Sequence, residues 1–177
     1  MDRERFLEAL VGLAAVQLVG CSSSTESAES AGPCQAVPGS FEVSKSETEW
    51  RDLLRDDEYW LLRQVGTEIP YTSVLLTEAR TGTYLCGACF LPLFVSETKY
   101  DSNTGWPSFW EPINGQLGLS VDCQLSQLRV EYHCLRCGGH QGHLFGDGPP
   151  PTGERWCNNG ASLIFVLEGD PLPELRV

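Results

Sequence analysis

At 177 residues the chain is long enough for one domain of ordinary size with its own core. Acidic residues outnumber basic ones by 24 to 12, for a net charge of −12, and that balance opposes binding to nucleic acid or to an anionic lipid surface. Solubility is the plain explanation of the acidity.

The first residues do not read as part of the domain. "MDRERF" carries two arginines beside Asp2 and Glu4, and the apolar run "LVGLAAVQLVG" follows, ending at Cys21. A run this short, closed by small residues, reads as a secretory signal over residues 1–20 and is too short for a stable span. "LVGC" resembles a bacterial lipobox, in which Cys21 is lipidated and becomes the first mature residue. The competing reading is an N-terminal helix with Cys21 a buried thiol. The serine-rich sequence that follows favours the signal, and Glu8 is its one blemish. Without residues 1–20 the chain keeps 10 basic and 21 acidic residues, a charge of −11.

"SSSTESAESAGPCQAVPGS" is small, polar and poor in aromatics, so residues 21–45 are expected to form a flexible tether. About twenty such residues reach roughly 25 Å, enough to hold a domain clear of a membrane. The expected location is the bacterial cell envelope, lipid-anchored on the periplasmic face. Ser22 favours the outer membrane over retention in the inner one.

The folded domain is expected over residues 46–170, with a C-terminal tail at 171–177. In "SETEWRDLLRDDEYWLLRQ", Trp50, Leu53, Leu54, Trp60 and Leu61 recur at helical spacing, and Ser46 with Glu49 fits a capping box. One or two short helices are expected, with their aromatic residues in the core. "TGTYLC", "LRVEYHC" and "ASLIFVLE" are β-rich runs bounded by turn residues. In the second, Leu128, Val130 and Tyr132 alternate with Arg129, Glu131 and His133, as in a half-buried strand with one wet face. No helical pattern separates these strands, which argues against α/β layering. The expected class is mainly β and antiparallel, with short helices at the front.

Two C-x-x-C pairs, Cys86 with Cys89 and Cys134 with Cys137, each follow a strand-like run. Two such knuckles supply four thiolates for one tetrahedral zinc ion, and four protein ligands leave no open position for catalysis by the metal. Two disulfides, or a redox-active C-x-x-C, are the competing readings in an exported protein. Such disulfides would close tight loops and constrain little chain, whereas structural zinc contributes on the order of 10 kcal/mol in small modules. The pairs are far apart in sequence, so the metal would clip distant parts of one domain together.

Cys157 is different. It sits in "GERWCNNGAS", with no other cysteine within nineteen positions, Arg155 two residues before it and Asn159 two after. A guanidinium or imidazolium nearby lowers a thiol pKa, and His140 and His143 follow closely on the second knuckle. One reading is a His/Cys pairing for nucleophilic chemistry. The other is a buried structural cysteine, with two histidines satisfying a loop. The residues alone leave both open.

Taken together and in order, C-x-x-C, "GWPSF", the second C-x-x-C, "H-x-G-H-x-F-x-DGP" and "GERWCNN" resemble the methionine sulfoxide reductase B family, from about Glu49 to about Glu168. "GTEIPYT", "TKYDS" and "PPPTGERW" are also similar. The family reduces the R epimer of methionine sulfoxide in proteins. The resemblance implies a nucleophile at Cys157, a methyl pocket built on Trp106 with Phe145 near it, and supporting roles for His140, His143, Asp147, Arg155 and Asn159. It also implies one structural zinc on Cys86, Cys89, Cys134 and Cys137. The implied partners are oxidised proteins carrying methionine-R-sulfoxide and a thioredoxin-like reductant; no nucleic acid is expected, and a monomer is. In the implied chemistry a thiolate attacks the sulfoxide sulfur and Cys157 becomes a sulfenic acid, with His140 or His143 the proton source.

Three positions depart from the pattern. Thr104 stands where many members carry a resolving cysteine, "HLGH" has become "HQGH" with Gln141, and the residue after the nucleophile is Asn158. The second thiol would then be Cys34 in the tether or Cys123 before a strand, or none in the chain. The competing function is a catalytically inactive binding module of the same fold, stabilised by zinc. A zinc-ribbon reader of nucleic acid is disfavoured by the charge.

Overall fold

The computed structural model describes residues 40–123 and 128–176. Residues 1–20, expected as a secretory signal, and Cys21 and Cys34 lie outside the described residues. Helices α1 (Glu47–Leu53) and α2 (Asp56–Gln64) come first. The capping box forms: the Ser46 side chain accepts from the Glu49 backbone, and Glu49 returns to the Ser46 N–H at 2.8 Å. Trp50 is buried, whereas Trp60 is 46 % exposed. The expectation that these helix aromatics are core residues therefore holds for Trp50 and fails for Trp60, which lies across Gly66 at the helix end.

Among the described residues all strand pairings are antiparallel. A small sheet runs β2 (Pro92–Val95), β1 (Gly82–Cys86), β9 (Leu163–Leu167). A larger one runs β3 (Lys99–Tyr100), β4 (Ser108–Phe109), β8 (Arg155–Asn158), β7 (His140–Phe145), β6 (Arg129–Cys134), β5 (Leu117–Asp122). Directly paired residues share a face, so the register of the large sheet sorts its side chains into rows. One row is Phe109, Trp156, Leu144, Val130 and Val121. Its first members meet Tyr84 and Phe94 of the small sheet, with Phe94 stacked on Phe109 at 4.2 Å and Tyr84 edge-on at 4.9 Å. Three strands do not cover six: Val121 and Val130 at the far end are exposed. On β6 the expected wet face is thus reversed at its start. Leu128 and Val130 are exposed, while Glu131 and His133 on the opposite side are covered.

The folded part begins and ends outside the expected 46–170. Val43 is buried and its N–H donates to the Arg136 carbonyl, and Phe41 packs edge-on against His133. Arg136 is itself buried; its guanidinium pairs with Glu42 at 3.0 Å and donates to the carbonyls of Cys89 and Arg176. The C-terminal segment is therefore docked on the first cysteine knuckle and does not hang free. Burial of a guanidinium is tolerated because carbonyls and a carboxylate take up its donors.

Candidate active site and metal centre

The other face of the large sheet carries a polar row: Tyr100, Ser108, Cys157, His143, Glu131 and Ser120, one residue from each of six strands. Cys157 and His143 are direct partners on β8 and β7. Two residues along, Arg155 and Phe145 are also partners. Gly142 permits the close pairing, because a β-carbon there would run into the Cys157 carbonyl oxygen.

Cys157, His143, Trp106, Phe145, Arg129 and Asn159 line a pocket of about 80 Å³. Trp106 is aimed by its indole N–H, which donates to the Glu68 carbonyl at 2.9 Å. Asn159 uses both ends of its amide on the same segment, accepting from Glu68 N–H at 2.9 Å and donating to the Gly66 carbonyl at 3.2 Å. The Glu68 carboxylate accepts from Gly160 N–H at 2.5 Å, and burial raises its pKa. Residues 66–68 therefore strap Trp106 to the turn after the cysteine. Gly105 is in the left-handed region with Tyr71 packed against it, so the turn that presents Trp106 needs a residue without a β-carbon.

Arg155 is buried, lies 4.1 Å over the Phe145 ring and makes a two-pronged pair with Asp147 at 2.8 and 3.1 Å. Asp147 is mostly exposed and its pKa is lowered by Arg155. It holds the guanidinium; it does not reach into the pocket wall with Cys157. His140 is almost fully buried, bonded through Nδ1 to Glu131 at 2.7 Å, and sits edge-on to His143. Of the two histidines, His143 lines the pocket.

Burial pushes the Cys157 thiol above its ordinary value; Arg155, Thr104 and Ser108 oppose this without overcoming it. The resting group is a thiol, so alkylation of Cys157 by iodoacetamide in substrate-free protein is expected to be slow at neutral pH. The rate should still be climbing beyond about pH 8.5, the value for a free thiol. A plateau well below that would contradict the buried-thiol account.

Thr104, Ser102 and Ser108 form a hydroxyl chain with 2.8 Å links, and Thr104 reaches the Cys157 sulfur. Thr104→Cys is therefore expected to form a disulfide between positions 104 and 157 after one turnover without reductant. Peptide mapping would show it; a variant whose residue 104 thiol stays free beside an oxidised Cys157 would contradict the proximity. Cys123 is disulfide-bonded, so it offers no free thiol beside Cys157.

The four other cysteines among the described residues are buried and free of disulfides, with their sulfurs all within 4.8 Å of one another. The distances are 3.7 Å between Cys86 and Cys137 and 3.5 Å between Cys89 and Cys134. Four sulfurs placed tetrahedrally at the usual zinc–sulfur distance lie about 3.8 Å apart, so the set fits one zinc ion. Four thiolates this close repel one another, and a dication relieves the repulsion. Gln141 is fully buried and its amide donates to Cys86 Sγ at 3.4 Å. The departure at this position touches the metal site and not the pocket. Asn158 is fully buried beside Tyr132 and, unlike Gln141, also lines the pocket.

The motifs had pointed to Cys157, His143, Trp106, Phe145 and Asn159, which the fold brings together. They had not pointed to Asp122, Arg129, Glu131 or Glu68. The only hint was "GTEIPYT", which contains Glu68.

Residues 54–167 match the SelR domain family. The chain is 46 % identical over 124 residues to the peptide methionine sulfoxide reductase MsrB of Agrobacterium fabrum, covering 70 % of this chain and 92 % of that one. It is 46 % identical over 129 residues to the same-named protein of Leptospira interrogans, covering 72 % and 98 %. A Methanosarcina barkeri protein of that name is 46 % identical over 127 residues, covering 71 % and 89 %.

Proposed function

From the chain's membership of the methionine sulfoxide reductase B family, we propose that it reduces the R epimer of methionine sulfoxide in peptides, with Cys157 as the nucleophile. It is an oxidoreductase that acts on methionine sulfoxide at the expense of a thiol reductant. The observation that carries the assignment of roles is the row that sets Cys157 beside His143 in a pocket that Trp106 and Phe145 also line.

The sulfoxide methyl group packs on the two aromatic rings, which exclude water. The Cys157 sulfur attacks the sulfoxide sulfur. The oxygen is protonated and ends on Cys157, whose sulfur is oxidised by two electrons as the methionine sulfur is reduced by two. His143 serves as proton carrier, being the imidazole that lines the pocket. Arg155, braced by Asp147, supplies positive charge beside the developing thiolate. Zinc binds Cys86, Cys89, Cys134 and Cys137 and supplies rigidity, not chemistry. A thioredoxin-like reductant regenerates Cys157, directly or through Cys34 of the N-terminal segment when that thiol is reduced.

The substrates are oxidised proteins of the bacterial envelope, repaired by a monomer anchored through lipid on Cys21. The "LVGC" motif and the polar segment after it support that location. The test of the activity is a peptide carrying either epimer, incubated with the protein and dithiothreitol. Methionine should form from the R epimer alone. Turnover of the S epimer, or of neither, would contradict the proposal, and the second result would favour an inactive binding module.

A further inference from the structure

His143 is held from behind. Its Nε2 lies 2.7 Å from Asp122 Oδ2 at the end of β5, and Arg129 at the start of β6 donates to the same oxygen at 2.6 Å. Asp122 is 2 % exposed at its side chain, and Asp122 and Arg129 are direct cross-strand partners. Arg129 also lines the pocket that holds Cys157. A carboxylate accepts only, so this contact puts the imidazole proton on Nε2. Nδ1, which bonds to nothing among the described residues, is then the nitrogen left with a lone pair.

We propose that Asp122, itself fixed by Arg129, positions His143: it claims Nε2–H and so leaves Nδ1 to take the proton of Cys157 and hand it to the sulfoxide oxygen. The inference rests on the function proposed above. The proton balance closes within the site. The thiol hydrogen moves to Nδ1 as the sulfur attacks, giving an imidazolium stabilised by Asp122. It then moves to the oxygen that finishes on Cys157 as the sulfenic acid, so no outside proton is consumed. Asp122 and Arg129 touch no reacting atom in this scheme; they are positioning residues.

The surroundings give the pair a measurable signature. Burial lowers the His143 pKa, the Asp122 contact raises it, and Arg129 and His140 lower it. Glu131 is the other carboxylate on the facing strands, and it is engaged with His140. Arg155 and Cys157 face His143 from β8. A base must be neutral to accept the thiol proton, so the activity falls as pH drops through the His143 pKa. Removing Asp122 should therefore move that acid limb to lower pH. Removing Arg129 should move it to higher pH.

The experiment measures kcat and KM against pH for the full chain and for Asp122→Asn, Asp122→Glu and Arg129→Gln, with the R-sulfoxide peptide and dithiothreitol. Thermal melts run alongside. For Asp122→Asn, kcat is expected to fall by about a hundredfold, within the usual range for general acid–base catalysis, with KM little changed and the acid limb shifted down. Asp122→Glu should restore part of kcat, and Arg129→Gln should shift the limb up. Limbs that stay at the wild-type position in both variants would overturn the inference. So would losses that only track the fraction of unfolded protein. A wild type without activity would instead overturn the function itself, and the inference with it.

Discussion

Cys157→Ser is expected to abolish reduction of the R-sulfoxide peptide, with a loss of a thousandfold or more in kcat, as for other nucleophile deletions. A serine hydroxyl is a far poorer nucleophile than a thiol, and the redox step needs a sulfur that can hold the transferred oxygen. The substitution is nearly isosteric, and the residue is only partly buried on β8 between β4 and β7. The fold and the pocket should therefore survive, and the melting temperature should move by no more than a few degrees. An assay of methionine formation beside a thermal melt checks both halves. Residual activity near wild type would remove Cys157 from the mechanism. Lost activity with lost folding would leave a structural thiol, the alternative that the residues alone had kept open.

The second large effect concerns the metal. Cys86→Ser should lose the zinc and most of the stability that it confers, several kcal/mol and on the order of 10 kcal/mol at most. Three thiolates cannot close a tetrahedral structural site. The loss should spread because the four ligands tie separate parts of the chain: Cys86 ends β1, Cys134 ends β6, and Arg136 between the second pair clamps the Cys89 carbonyl and the C-terminal segment. Loosening this end frees the β6–β7 turn, and β7 carries His143. Activity should therefore fall with folding, whereas Cys157→Ser should keep one zinc per chain. Metal analysis of the two variants separates the roles. A Cys86→Ser protein that melts as wild type does, with no metal in either, would contradict a structural zinc.

The two centres were legible in the sequence to different depths. The C-x-x-C pairs announce themselves because a knuckle is local: two residues between thiols suffice to place both on one side. The strand assignments also followed from local composition, and β1, β6 and β9 fall where "TGTYLC", "LRVEYHC" and "ASLIFVLE" stand. The direction of β6 did not follow. Alternation tells that a strand has two faces, but which one is covered depends on how far the three-stranded sheet extends over the six-stranded one. Val130 lies beyond that cover, and Glu131 lies under the active-site face.

The same reason hid Asp122 and Arg129. They come next to His143 only through the register of β5 on β6 and of β6 on β7, and nothing near either residue in the chain signals it. Gln141 shows the reverse case. Its place between two histidines suggests the pocket, yet the twofold alternation of β7 turns it to the other side, toward Cys86. Asn159 and Asp147 were legible as members of the site, but their work is bracing: one holds the 66–68 strap, the other Arg155. The contacts of the terminal segments were not legible because Phe41, Val43 and Arg176 are isolated anchors in polar sequence, and their partners lie far away on β6 and the knuckles.

The most direct measurement of the central claim is a single turnover without reductant. One equivalent of the R-sulfoxide peptide is mixed with the fully reduced, zinc-loaded protein, and both products are weighed. One methionine should form per chain, and Cys157 alone should gain either one oxygen atom or, if Cys34 then attacks it, a disulfide to that residue. Methionine formed with Cys157 unchanged, or oxygen found on the zinc cysteines instead, would contradict the assignment of Cys157 as the sulfur that takes the oxygen.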